Sequence, residues 1–180
     1  MSEVLARWNR LSAVEAAQEI LACCGSMSWA RELVARRPFS DDAALVSVSD
    51  EIWNRLEAQD WMEAFSKHPR IGGRKAPQAA PGQSGAGALA RELSAEWSAQ
   101  EQQNVESAGE DVRWALAEAN AEYERRFSRV FIVCATGKSA REMLDILRRR
   151  LGNDAAVELR EAAEEQRKIT NIRLRKWLAI

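Results

Sequence analysis

The chain has 180 residues, long enough to bury a real hydrophobic core, and 46% of them are apolar, which excludes a disordered segment. Its 26 basic and 27 acidic side chains nearly cancel, so nucleic acid is excluded as the main partner. One histidine and three cysteines are a poor supply of metal ligands, so no metal is expected.

The thiols Cys23, Cys24 and Cys134 form no secreted disulfide pattern. The N-terminus lacks the basic-then-apolar order of a signal peptide, and no apolar run reaches the ~18 residues of a membrane span. The C-terminal Leu178-Ala179-Ile180 is not a peroxisomal address. The expected setting is soluble and cytoplasmic, with no membrane partner.

In chain order, Ser12-Ala-Val-Glu15 has the form of a capping box, opening a helix to about Cys23 that Gly25 stops. Ser28 is the expected cap of a helix from Trp29 to Arg36, ended by Pro38. Asp50 to Ala58 and Asp60 to Lys67 read as two short helices. Lys75 to Ala88 is rich in Gly, Ala, Pro and Gln, and a mobile loop is expected at about 74–88. Helix resumes near Leu89, and a long segment from Ser98 to about Phe127 follows, with Gly109 its weak point.

Val130 to Ala135 is the one strand-like run of the chain. It has no second run to pair with, so it is expected as an extended piece packed among helices. Ser139-Ala-Arg-Glu142 is another capping box, opening a helix to Leu151. Gly152-Asn153-Asp154 punctuates, and a last helix runs from about Ala155 to Leu178. The expected fold is all-α: one helical-bundle domain over residues 1–180, with one extended segment near 130–136.

His68 is the first candidate for chemistry. Its ring titrates near ~6.5 in the absence of neighbours, Pro69 fixes the geometry behind it, and Gly72 and Gly73 let backbone approach a ligand. A histidine ending a helix and favouring its dipole is the plainer reading, and the chemistry of the residue alone leaves both open. Gly137-Lys138-Ser139 echoes a P-loop, but Ile132 stands where its first glycine belongs. The Arg148–Arg150 run reads as a solvated helix face.

Phe65-Ser-Lys-His68-Pro-Arg-Ile-Gly72, Trp97-Ser-Ala-Gln-Glu101-Gln102 and Asn120-Ala-Glu-Tyr123 come in that order. Phe131-Ile-Val-Cys-Ala-Thr-Gly137, Arg149-Arg-Leu-Gly-Asn153 and Glu165-Gln-Arg-Lys-Ile169-Thr-Asn-Ile-Arg173 follow. Together they resemble the 2-oxo-4-hydroxy-4-carboxy-5-ureidoimidazoline (OHCU) decarboxylase family over most of the chain. The resemblance implies a catalytic histidine at His68, a glutamate at Glu101 and an arginine at Arg173. It also implies substrate contacts at Pro69, Ser98, Gln102, Phe131, Ile132 and Val133. The implied reaction releases CO2 from OHCU and yields (S)-allantoin without metal or cofactor; a homodimer is implied too. The stretch between His68 and Glu101 is longer than in shorter family members.

Two of these residues have physical readings of their own. Ser98-Ala-Gln-Glu101 also fits a capping box, which makes Glu101 a helix-start residue by default. At ~100° per residue, Leu159, Ala162, Gln166, Ile169, Arg173 and Trp177 share one stripe, and Arg175 points the other way. An arginine on an inward stripe needs an anionic partner, either a structural carboxylate or a substrate. The competing functions are a helical adaptor with a tryptophan-lined groove, and a hydrolase of a neighbouring ureide.

Overall fold

The computed structural model describes residues 1–71, 92–100, 105 and 107–180. Every regular element among them is a helix, as expected. They are α1 (Glu3–Trp8), α2 (Ala13–Cys24), α3 (Met27–Ala35), α4 (Asp42–Arg55), α5 (Ala58–Phe65), α6 (Glu110–Phe127), α7 (Ala140–Arg150) and α8 (Ala155–Leu178). Residues 92–100 are helical too. The expected loop at 74–88 lies outside the described residues.

Short polar side chains set most helix starts by accepting an otherwise unpaired backbone N–H. Ser12 with Glu15 and Ser139 with Glu142 form both halves of a capping box on α2 and α7. Four starts differ from expectation, the first being that of α5, which opens at Ala58 and not at Asp60. Ser26, not Ser28, caps α3, because its hydroxyl takes the Trp29 N–H. Helix α4 begins at Asp42 behind the cap Asp41, well before Asp50. Its inward stripe, Leu45, Ser49, Ile52 and Trp53, is broken in sequence by a serine, and that hydroxyl is occupied by the Trp29 indole N–H at 3.2 Å. The long segment beginning at Ser98 is interrupted, with Gly109 as the N-cap of α6. The six-residue α1 was not expected; it buries only Leu5 and Trp8.

The buried side chains form two clusters. The first gathers α1–α5 and α8 around Trp8, Trp29, Trp53 and Trp177. Each of those indoles also finds an acceptor, at Ala16 O, Ser49 Oγ, Ala163 O and Glu19 Oε1. A buried indole N–H requires one. The second cluster is smaller and joins α6, α7 and Ile71. Trp114, unlike these indoles, is 65% exposed.

Residues 130–135 run between the clusters, neither helical nor paired as a strand. Ile132 and Cys134 pack into the first cluster; Phe131, Val133 and Ala135 pack into the second. That alternation is the period of an extended chain. The segment is a strap with one face in each core, and it matches the extended piece expected there.

Gly25 ends α2 at φ +87°, a conformation that side chains with a Cβ disfavour. A Cβ there would also sit 2.9 Å from Lys67 Cγ. Gly25→Ala should therefore cost about 1–2 kcal/mol of stability, read from urea unfolding with an unchanged slope.

Candidate active site

The end of α5 delivers His68. After Phe65 the chain makes one more turn, closed by the His68 N–H on Phe65 O at 3.1 Å, and Pro69 follows. The next residues are tied to α6: Asn120 Nδ2 donates to Ile71 O at 2.9 Å, and Arg70 forms an ion pair with Glu124. Asn120 is fully enclosed, so it holds the histidine turn where water does not compete.

From the other side comes α8. Arg173 is 3% exposed, and Arg175 is on the surface, as the stripe requires. Arg173 Nη2 donates to Ser98 Oγ at 3.0 Å, and Nη1 to Ala22 O at 3.5 Å. Residues on both sides of Ser98 are helical, so Ser98 does not start a helix. That removes the premise of the capping-box reading of Glu101. Glu101 and Gln102 themselves lie outside the described residues.

The elements meet at a hollow lined by His68, Pro69, Ile71, Ser98, Phe131, Ile132, Val133, Ala135 and Ile169. Of the residues expected at the site, it brings together His68, Pro69, Ser98, Phe131, Ile132 and Val133. Arg173 adjoins through Ser98, and its charge reaches the imidazole. The free space is about 20 Å³, enough for roughly one water molecule. A ring-sized ligand enters only if flanking side chains move.

His68 is electrostatically unusual. Protein packed around the ring makes the charged form costly, and the nearby Arg173 guanidinium adds to this. Gln166 opposes them weakly, and the net effect pushes the imidazole down to about 3. The residue keeps some surface, yet its ring is surrounded enough for desolvation to dominate. At neutral pH the ring is uncharged, so it can accept a hydrogen bond. Gln166 was on the predicted stripe without a role. It is fully buried and bonds Thr170 Oγ1 at 3.3 Å, while its Oε1 makes no regular hydrogen bond. Burial raises the Cys24 thiol to about 12 and the Cys23 thiol as well, which leaves both inert at neutral pH.

Fold and hollow define an all-α protein with a small polar site built from a neutral imidazole, a serine and an enclosed guanidinium. The family model for OHCU decarboxylase matches residues 9–175, and the chain belongs to that family of decarboxylating lyases. It is 36% identical over 154 residues to the uric acid degradation bifunctional protein TTL of Arabidopsis thaliana. That match covers 86% of this chain and 44% of the plant protein. It is 31% identical over 138 residues to the 2-oxo-4-hydroxy-4-carboxy-5-ureidoimidazoline decarboxylase of Amia calva, covering 77% and 73% of the two chains. A crystal structure of an OHCU decarboxylase in the presence of (S)-allantoin superposes with a TM-score of 0.72 at 32% identity, over 91% of this chain and 99% of that one. An (S)-allantoin synthase shares the fold at 16% identity and a TM-score of 0.65, over 96% of this chain and 53% of that one.

Because His68 is the chain's one histidine, its imidazole C–H signals are unambiguous in a proton NMR titration. They should not move between pH 8 and pH 5; an inflection near the ordinary ~6.5 would refute the depressed value. The unfolded chain protonates first, so this group makes the protein lose stability as pH falls from ~6.5 toward 3.

Proposed function

We propose that this chain decarboxylates OHCU to (S)-allantoin in urate breakdown, using its own side chains without metal or cofactor. The observation that carries the proposal is the meeting of His68 and Ser98 at one hollow, with Arg173 bonded to Ser98, in a chain of the decarboxylase family.

Loss of CO2 breaks the bond between the carboxylate and ring carbon 4. The electron pair left behind moves into the ring toward the C5=N bond, carbon 5 then takes up a proton, and the 4-hydroxyl gives up its own to become the carbonyl of allantoin. The protein has to orient the carboxylate, stabilise the developing charge and deliver that proton on one face. Arg173, held by Ser98, binds an anionic or carbonyl oxygen of the substrate. The uncharged His68 accepts a hydrogen bond from the 4-hydroxyl and carries the proton. Pro69, Ile132 and the peptide groups of Phe131 and Val133 frame the ureide arm. Glu101 and Gln102 enter on the family resemblance alone, Glu101 as His68's partner at the ring.

We read residues 1–180 as one domain acting as a cytoplasmic homodimer. The family match along nearly the whole chain supports the first part, and family resemblance supports the rest. No helix among the described residues is long and apolar enough to cross a membrane. Light scattering that returned the mass of a single chain would refute the dimer.

The decisive assay supplies urate and the upstream enzymes and follows optical rotation, since spontaneous decay yields racemic allantoin. His68→Asn should lose nearly all enantioselective product while staying folded; near-normal rates would remove His68 from the mechanism. Arg173→Ala should reduce kcat/KM by about 100-fold or more, and Arg175→Ala by less than about twofold. Equal losses would defeat the assignment of Arg173.

A further inference from the structure

The strap at 130–135 forms one wall of the hollow, yet its buried peptide groups have no partner strand among the described residues. Side chains supply the missing bonds. Arg150 Nη1 donates to Ile132 O at 2.6 Å, the Cys134 N–H donates to Glu165 Oε2 at 2.7 Å, and Lys138 Nζ donates to Cys134 O at 2.6 Å. Ile132 and Cys134 are two residues apart, so their peptide groups share one edge of an extended chain. Those of Phe131 and Val133, which line the hollow, fall on the other edge.

Arg150 is the centre of this arrangement. It is fully buried, as is Glu158, whose carboxylate takes its Nε at 3.0 Å and also its Nη2. Its guanidinium lies 4.7 Å from the centre of the Phe131 ring. The Tyr123 ring meets the same phenyl edge-on at 5.2 Å, and the Tyr123 hydroxyl donates to Glu158. One buried ion pair therefore fixes both the backbone and the ring of the wall. Such a pair adds little net stability over apolar replacements, because desolvation cancels most of the attraction. Its effect is on geometry.

We propose that Arg150 and Glu158 are positioning residues for the reaction, setting the Phe131–Val133 edge against which the substrate lies. Neither touches the hollow. The proposal rests on reading that hollow as the active site.

The test is the double variant Arg150→Met/Glu158→Gln. It removes the charges together, keeps volume and leaves Tyr123 an acceptor, so neither partner is stranded. Amide hydrogen exchange at 131–135 should accelerate about tenfold or more, with α7 and α8 unchanged. KM for OHCU should rise about tenfold while kcat falls less than about threefold, the split expected when binding geometry is lost and His68 and Arg173 are kept. Arg150→Lys, which can reach only one of the partners, should fall between. Unchanged strap exchange overturns the proposal. So does an unchanged KM in a variant whose strap exchanges faster. If wild-type protein forms no (S)-allantoin, the functional reading fails instead, and the exchange measurement still decides whether Arg150 anchors the wall.

Discussion

A single extended segment buried between two helical clusters governs the design of this molecule. Its residues 131–135 are buried and no strand among the described residues pairs with them, so each peptide group would cost a substantial fraction of the protein's stability if left unbonded. The solution is a row of side chains along one edge: Arg150 from α7, Lys138 from the turn before it and Glu165 from α8. Because that edge is satisfied by the protein, the opposite edge stays directed at the hollow. Helices alone give no such edge, since their backbone groups are consumed internally. Away from helix ends, an all-α protein presents backbone polar groups to a ligand only through an interruption of this kind.

Helix α8 ties the strap to the chemistry. Glu158 and Glu165 serve the strap and its anchor, whereas Gln166, Ile169 and Arg173 serve the hollow. From Glu158 to Arg173 the helix advances about 22 Å, and across that span it is unbroken. Asn120 does the corresponding work for His68, by holding Ile71 O from α6. Among the described residues, Ser98 and Arg173 are carried by helices, and the turn that bears His68 is bonded to one through Asn120.

Much of this was legible in the sequence, because helical periodicity survives a change of residue type. The stripe on the last helix separated Arg173 from Arg175, and the structure buries the first and exposes the second. The lone strand-like run also announced itself, by having no partner. Arg150 shows where the reading failed. Three consecutive arginines look like a solvated face, and two of them are exposed, but Arg150 continues the inward stripe of Met143 and Leu147. Treating the run as a block hid the period. Ser98 failed for a related reason: serine followed three residues later by glutamate is a capping signature only if the helix begins there. Here the preceding residues are already helical, and the hydroxyl is used by Arg173. Asn120 gave no signal of its own, since what it holds is a carbonyl distant in sequence.

The charge state of the site follows from the same burial that makes it tight. Enclosure and the neighbouring guanidinium both disfavour an imidazolium, so the unliganded site carries its positive charge on Arg173 and leaves His68 neutral. A carboxylate arriving beside Arg173 cancels part of that field, and the proton affinity of His68 rises as a result. The histidine thereby becomes a better base only when an anion is in place. In the proposed reaction CO2 leaves neutral and the negative charge stays on the substrate until the ureido-bearing carbon takes up a proton, so anion binding and the protonation of His68 are coupled through one guanidinium.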